Sequence, residues 1–590
     1  MAEKTLEMEQ GWKQTMEFPF DSSIKRMSVV YKKEEDSTLT IFTKGAVERI
    51  IDLCTCVGHG KHQEAMTDEL KEQVLDQMNL LADQGLRVLA IARKYSSEDI
   101  EEHSEIDRVD IEKDLCLLGL AGLYDPPRVE TKSAVQACAT AGISVHMLTG
   151  DHSLTAAAIA REVGIIPKNI GTFPPDVAAA MVKPAAEFEA MSDAEIDALP
   201  TLPLVIARCA PQTKVKMIEA LHRRSGFVAM TGDGVNDAPS LQRADVGIAM
   251  GLNGSDVAKS ASDIVLTDDN FVSIVNAIEE GRRMFENIQK FVLHLLATNV
   301  GEVILLVCGL GFQDNLGYSV FPLPPLSILW INMLTSSFPA FGLGKEKAAS
   351  GVMRRPPHDN KKGIFAWQII VDMVVYGVAM GACTLTTFVF IVYGPGQDGL
   401  GDDCNKAYNA SCDVVFRARA TVFVELTWMI LIAAWEFKSL RRSMFALDPN
   451  NTTSRFLFFK DVYENQFLFW SVVLGALSVF PAVYIPGLNT TVFKHKGISW
   501  ELAIAVVCVI IFVTGIEAWK LVKHNMGWFA DAETEGVRNN GGTGRVSLKQ
   551  GIFIIAKAVT RTRREDQSAH EKEKVKSKCN EPSARIKEEV

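Results

Sequence analysis

Six apolar stretches, at about 288–312, 320–343, 366–393, 419–437, 466–485 and 499–522, limit what this chain can fold into more than any other feature. Each approaches the ~20 residues a helix needs to cross the hydrocarbon of a bilayer. A composition of 47% hydrophobic residues is high for a water-soluble chain, and the excess lies almost wholly in these stretches. A bundle of six transmembrane helices is therefore expected over 286–523, the alternative being buried helices of a large soluble protein. An even number of crossings returns both flanks to one side. The connector after the second stretch carries Lys345, Lys347, Arg354, Arg355, Lys361 and Lys362, and that after the fourth carries Lys438, Arg441, Arg442, Arg455 and Lys460. The opposite connectors hold fewer, among them Lys406, Arg417, Lys494 and Lys496, so the positive-inside bias puts the long N-terminal part in the cytosol. On the outer side Cys404 and Cys412 lie close enough in sequence for a disulfide to form. Asn409 (NAS) and Asn489 (NTT) head glycosylation acceptor sequences there.

The remaining cysteines show no zinc-like pair spacing and fit a reducing cytosol. The N-terminal MAEKTLEMEQGWKQ is polar, unlike a signal peptide, and the net charge of −11 speaks against nucleic acid as a partner.

Residues 1–117 alternate short β-like runs (MSVVY, LTIFT, RVLAIAR) with charged helical ones such as DELKEQVLDQMNLLADQG, which stops at Gly85, and read as an α+β module. From LCLLGLAGL (115–123) the pattern becomes strand, turn, helix, repeated: ISVHMLTGD then HSLTAAAIAREVG, PLVIARCAP then QTKVKMIEALHRR, GFVAMTGDG then VNDAPSLQRA, and VGIAMG. That repetition predicts a doubly wound parallel sheet over 118–285, its site at the carboxyl ends of the strands. Residues 167–203 interrupt it as an Ala/Pro/Asp-rich surface excursion without chemistry, in which SDAE caps one short helix. The tail from 524 to 590 is Gly-rich, then mixed in charge, and is expected to be disordered. GIFIIAKAVTRTRR within it has the alternative of lying on a membrane surface.

In MTGDGVNDAPSLQRADVGIAMG (230–251), Asp233 and Asp237 stand four apart in a Gly-broken turn after an apolar run. Repulsion and desolvation both oppose such crowding, and a divalent cation would offset them. The other strand ends carry Thr149-Gly150-Asp151 and, on the helix after ARCAP, Lys214. A Gly turn with a hydroxyl can hold phosphate oxygens, a lysine supplies charge to a transferring phosphoryl group, and paired carboxylates hold Mg²⁺.

These motifs resemble those of the P-type ATPases: LTGD at 148–151, ARCAPQTK at 207–214, TGDGVNDAP at 231–239, DPPR at 125–128 and KGA at 44–46, with similarity running from about 15 to 523. The resemblance implies a haloacid-dehalogenase-like phosphorylation domain, a partial nucleotide-binding domain, and ATP and Mg²⁺ as cofactors. Asp233 would be the Mg²⁺ ligand, with Asn236 and Asp237 supporting it. Lys214 would neutralise the phosphoryl group that Thr149, Gly150 and Asp151 cradle. Phe18, Lys25, Lys44, Gly45 and Arg87, with Arg128 and Arg208 of the DPPR and ARCAPQTK motifs, would contact nucleotide. The family's DKTGT nucleophile and TGE loop do not occur in the sequence. The chain therefore reads as the C-terminal half of a pump, expected not to form a phosphoenzyme alone.

A charge at the centre of a span costs roughly 2.5–3.5 kcal/mol on insertion scales, so polar groups there are presumptively functional. Asn299 and Glu302 stand three apart in TNVGEV. Asn332, Thr335 and Ser336 cluster one turn before Pro339, which prevents regular hydrogen bonding, and Glu425 and Glu517 lie in the fourth and sixth stretches. The calcium pumps of the family carry an aspartate where this chain has Ser336. One carboxylate fewer favours a monovalent ion. LTSSFPAFGLG and EFPFDSSIKRMS resemble the fungal ENA-type sodium pumps, which implies export of Na⁺, in some cases K⁺, across the plasma membrane. The alternatives are a Ca²⁺ pump, a non-catalytic truncated membrane protein, and a soluble phosphatase sharing the lysine and aspartate motifs.

Overall fold

The computed structural model describes residues 12–526, apart from 22–23, 34–38, 59, 97–106, 170–172, 350, 359–362, 396–398 and 446–456. The C-terminal tail, with GIFIIAKAVTRTRR, lies outside the described residues, as do Lys361, Lys362 and Arg455. The chain divides into two compact units, one built from residues up to Ala139 and from Ser144–Ser273, the other mainly from Ile274 onward.

In the first unit, β1 (Trp12–Asp21), β2 (Arg26–Lys33), β3 (Leu39–Ala46), β4 (Cys54–Val57), β5 (Glu64–Ala65), β6 (Arg87–Ser96) and β7 (Leu115–Leu123) form one sheet in the order β1-β2-β3-β6-β7-β4-β5. Helix α1 (Asp68–Asp83) starts where the Thr67 side chain accepts from the Leu70 amide, and the chain leaves it at Gly85 with φ +85°, a conformation that glycine adopts without strain. The expected boundary at 117/118 falls inside β7, which pairs with β6 and β4 of this sheet instead of opening the next one. An apolar run of that length can be buried in either sheet, and periodicity does not say which. A buried carboxylate braces this sheet. Glu112 accepts from Ser28 Oγ at 2.6 Å, Arg108 Nε at 2.8 Å and Arg26 Nε at 2.5 Å.

The strand-helix repeats that follow give parallel strands throughout, as two three-stranded pieces: β8 (Met147–Leu148), β9 (Val182–Pro184) and β10 (Val205–Ala207) in the order β8-β10-β9, and β11 (Ala229–Gly232), β12 (Val246–Met250) and β13 (Ile264–Leu266) in chain order. Helices α2 (Ser153–Val163) and α3 (Pro211–Arg223) follow β8 and β10. The excursion is corrected by β9. Residues 182–184 join the sheet, and Phe188 and Ile196 are fully buried beneath it. The Ser192/Glu195 capping box forms as expected. Its polar composition hid a sparse apolar set that packs inward.

Among the described residues, the second unit holds six helices long and apolar enough to cross a membrane: α4 (Phe271–Gly309), α5 (Pro325–Gly344), α6 (Trp367–Tyr393), α7 (Asp413–Glu436), α8 (Gln466–Tyr484) and α9 (Glu501–Asn525). The first begins well before its apolar stretch. Helix α7 is buried on nearly all sides, with Phe416, Phe423 and Glu425 fully enclosed. Close backbone approach joins α4 to α6, because a Cβ on Gly377 would stand 2.5 Å from Val300 Cγ1 and one on Gly381 2.8 Å from Ile304 Cγ2. Helix α5 is irregular as Pro339 predicts. Its middle, Ile331–Ser336, is a π-helical turn.

Cys404 and Cys412 are disulfide-bonded, Cα–Cα 5.4 Å. Cys56 and Cys116, 60 residues apart in sequence on adjacent strands β4 and β7, are bonded as well, against the expectation of free cytosolic thiols. Strand pairing alone brings them together. Asn489 is also corrected. It is buried, its amide donating to the Val483 carbonyl at 3.0 Å, so it offers no acceptor for a glycan, whereas Asn409 is exposed.

Candidate functional site

The loops after β8 and β10 are stitched together by their backbones. Cys209 N donates to Thr149 O at 2.9 Å and Arg208 N to Asp151 O at 3.0 Å, while the Thr149 hydroxyl accepts from the Asp151 amide at 3.2 Å. Gly150 between them is exposed, with open space where a Cβ would stand. Arg208 takes φ +59°, an uncommon state for a non-glycine residue.

After β11 the chain folds back so tightly that a Cβ on Gly232 would lie 2.6 Å from Asp237 Cβ. Asp237 is 7% exposed, and Lys214 Nζ, from the first turn of α3, meets its Oδ1 at 2.5 Å. This revises the reading of the two aspartates as a pair held by one cation. Asp237 is neutralised by Lys214. Asp233 is exposed, held through its carbonyl by Ser255 N at 2.8 Å, and its carboxylate has no hydrogen bond or ion pair among the described residues. Asn236 is exposed too. A Mg²⁺ ion with one protein carboxylate, phosphate oxygens and waters fits such a donor set.

The nucleotide candidates separate into two groups. Lys25 and Arg208 converge on Glu48, which the sequence reading missed. Glu48 Oε1 accepts from Arg208 Nη2 at 2.5 Å and stands 3.6 Å from His152 Nε2, and Arg87 Nε is 3.6 Å from Asp151. Burial and the neighbouring Arg208 hold the Lys25 ammonium below its usual value, against the pull of Glu48. Lys25 has φ +54°, and its carbonyl lies 2.5 Å from where a Gly45 Cβ would stand, so only glycine fits at 45. Phe18 is different. It packs beside Val30, Leu39, Ile41 and Ile111 as a half-buried core side chain. Lys44 is exposed on β3, and exposed Arg128 donates to the Asp268 carbonyl at 3.1 Å.

In the membrane unit, Asn332 Nδ2 of α5 donates to Glu302 Oε2 of α4 at 2.8 Å, and the other oxygen of Glu302 is buried without a hydrogen-bond partner among the described residues. Ser336 Oγ faces His294 Nε2 at 3.4 Å. Thr335 bonds back to the Ile331 carbonyl at 2.9 Å. Asn299 is exposed whereas Glu302, three residues on, is buried. Glu425 is fully buried, both oxygens without a partner among the described residues. Glu517 accepts from the Met444 amide at 2.9 Å and lies 3.5 Å from Lys520, which marks it as structural. Sequence reasoning missed His294 and two buried ion pairs, Asp372–Lys523 at 2.7 Å and Glu436–Lys520 at 2.5 Å. Their signal was present as ionisable residues inside apolar stretches.

Residues 2–130 match the family description "P-type ATPase, cytoplasmic domain N", and residues 320–522 match "Cation transporting ATPase, C-terminus". The chain belongs to the P-type ATPase family. It is 54% identical over 512 residues to a sodium/potassium exporting P-type ATPase of Schizosaccharomyces pombe, covering 86% of this chain and 49% of that one. It is 50% identical over 516 residues to sodium/potassium exporting P-type ATPase 2 of Saccharomyces cerevisiae (86% and 47%), and 35% identical over 514 residues to calcium-transporting ATPase 1 of Bacillus cereus (86% and 53%). Its likeness is thus greater to these sodium/potassium exporters than to this calcium pump. The chain spans about half the length of the curated relatives it matches.

Proposed function

We propose that this chain is the C-terminal half of an ATP-driven pump that exports a monovalent cation, Na⁺ and in some settings K⁺, across the plasma membrane. The observation that carries the reading is the crossing of α4 and α5. A single carboxylate, Glu302, faces the amide of Asn332, and the position one turn on is a serine against an imidazole instead of a second carboxylate. A divalent cation would gain less from such a pocket than from one with two charges, whereas a monovalent one is neutralised by Glu302 alone. Asn332, Thr335, Ser336 and Glu425 complete the candidate path, and Asn299 contributes least, being exposed. The π-helical turn supports this, since such turns are frequent at functional sites and this one holds Asn332 beside the carboxylate.

In the first unit, the parallel-stranded segment acts as a haloacid-dehalogenase-like phosphorylation domain. Lys25, Arg208 and neighbouring Arg49 crowd around one carboxylate, and the triphosphate of ATP would relieve their repulsion. Asp233 would hold Mg²⁺, which supplies charge for phosphoryl transfer when bound. Lys214 stays clamped to Asp237 and presents its positive field to the phosphoryl group, which the Thr149-Gly150-Asp151 turn orients. The acyl-phosphate would form on an aspartate that these 590 residues do not contain.

The test is ATP turnover of a full-length pump carrying this half against a cation panel. Stimulation by Na⁺ or K⁺ is expected. Stimulation by Ca²⁺ with none by Na⁺ or K⁺ overturns the assignment.

A further inference from the structure

Strand β12 lies between β11 and β13, and all three run parallel, so the loops that follow them emerge side by side at the edge where Asp233 sits. The loop after β12, Gly251-Leu252-Asn253-Gly254-Ser255, has two glycines where no side chain fits. A Cβ on Gly251 would stand 2.3 Å from the Leu266 carbonyl oxygen, and one on Gly254 1.9 Å from that of Met250. Leu252 and Asn253 are exposed, so side-chain burial does little to fix the loop. Asp269, in the loop after β13, fixes it instead. Its carboxylate accepts from three successive amides, Gly251 N at 2.6 Å and Leu252 N at 3.0 Å on Oδ1, and Asn253 N at 2.8 Å on Oδ2. Hydrogen bonds to an ionised acceptor are the stronger kind. Asp269 makes them from φ +48°, a left-handed backbone that aspartate and asparagine adopt more readily than most other side chains.

Two residues past the last of these amides, Ser255 N donates to the Asp233 carbonyl at 2.8 Å, while the Ser255 hydroxyl accepts from Ala258 N at 3.2 Å. A continuous path thus runs from the Asp269 carboxylate through the clamped loop to the backbone of Asp233. The carboxylate of Asp233 has no hydrogen bond or ion pair among the described residues, so its direction is set by where its own backbone is held. We propose that Asp269 is a positioning residue for Mg²⁺, acting through residues 251–255 to fix the backbone from which Asp233 presents its carboxylate. This rests on the reading of Asp233 as the Mg²⁺ ligand. Asp268, the residue before it, carries the same charge but has other partners, the Asn270 amide at 3.2 Å and the Ser273 hydroxyl at 2.6 Å.

The experiment measures Mn²⁺, standing in for Mg²⁺, bound by the purified full-length pump without nucleotide, read by electron paramagnetic resonance. Asp269→Gly removes the carboxylate and keeps the backbone, because glycine takes a positive φ without strain. It should weaken Mn²⁺ binding on the order of tenfold, the scale of losing an outer partner of a metal ligand, and should strip the Ser255 amide of its protection from hydrogen exchange. Asp269→Asn keeps one oxygen for Gly251 and Leu252 but turns an NH₂ towards the Asn253 amide, and should fall between. Asp268→Asn should bind Mn²⁺ as the parent does. In turnover, Asp269→Gly should raise the half-saturating Mg²⁺ concentration by the same factor with the KM for ATP unchanged, whereas a merely destabilised pump would lose turnover at every Mg²⁺ concentration. Parent Mn²⁺ affinity or undiminished Ser255 protection in Asp269→Gly overturns the proposal, as does an equal loss of affinity in Asp268→Asn. Asp233→Asn separates the two readings. If it weakens Mn²⁺ binding and Asp269→Gly does not, only the positioning role falls; if it leaves Mn²⁺ binding untouched, the assignment of the ligand falls and the positioning role with it.

Discussion

Asn332 donates to Glu302 across the contact of α4 and α5 at 2.8 Å, tying the one carboxylate of that crossing to the irregular turn of its neighbour. A hydrogen bond to a charged group contributes about 1.5–3 kcal/mol. In a full-length pump, Asn332→Ala should raise the half-saturating Na⁺ concentration at least tenfold, and Glu302→Gln should abolish stimulation by Na⁺. Unchanged Na⁺ dependence of ATP hydrolysis in both variants would remove this crossing from the ion path.

Gly232→Ala tests the loop after β11 and the phosphoryl-transfer role proposed for it. Its methyl would stand 2.6 Å from Asp237 Cβ and push that carboxylate off Lys214. Loss of a preorganised charge at such a site costs about 10²–10³ in rate. The full-length pump should lose turnover on that scale with little change in melting temperature. A variant that hydrolyses ATP at the parent rate would show that the Lys214–Asp237 pair has no part in phosphoryl transfer.

The first unit should soften in acid through Glu112. Burial raises its pKa, but hydrogen bonds from Ser28, Arg26 and Arg108 outweigh that and hold the carboxyl below its ordinary range. A depressed folded value means that the stabilisation is fully present above the unfolded pKa, near 4.5, and is lost as pH falls from there through the folded value. The protection factors of the β2 and β3 amides, measured against the intrinsic exchange rate at each pH, should therefore fall below about pH 4.5. Glu112→Ala, which leaves Arg26 and Arg108 unpaired, should cost about 3–5 kcal/mol at neutral pH and flatten that acid limb. An acid limb of equal depth in the variant would assign it to other groups.

Glycan attachment separates the two outer acceptor sequences. Asn409→Gln should abolish the endoglycosidase-sensitive mobility shift, and Asn489→Gln should leave it intact while destabilising the loop, since the Asn489 amide holds the Val483 carbonyl. A shift that survives Asn409→Gln would mean that Asn489 reaches the glycosylation machinery.

The 590 residues alone should incorporate no γ-phosphate from labelled ATP in the presence of Mg²⁺. Acid-stable, hydroxylamine-sensitive labelling of the isolated chain would contradict that.

Much of this was legible because it depends on local pattern. Spans announce themselves by length and hydropathy, and parallel strands ended where TGD and ARCAP place them. What the sequence left open was pairing at a distance. That LCLLGLAGL joins the N-terminal sheet, that Cys56 meets Cys116, and that Phe188 and Ile196 find a core inside a polar excursion are set by packing partners far along the chain. At the site, the orientation of the candidate side chains was not legible. Asn299 is a helical neighbour of Glu302, yet it lies just beyond the edge of the buried face, which spacing alone does not mark. Asp237, taken as half of a metal pair, is the counter-charge of Lys214. Glu48 was passed over because nothing local distinguishes it from any helix-starting glutamate.

The turn over Ile331–Ser336 also sets the phase of everything after it in α5. An inserted residue rotates the downstream segment by about 100° about its axis, and in that orientation Gly342 meets Leu468 of α8, where a Cβ would come within 2.9 Å of the neighbour's Cα. Unwinding the extra residue would swing Gly342 away and bring a bulkier side chain against α8. The Glu302–Asn332 contact at the crossing and the seating of α8 are thereby geared to one another through a single helical register.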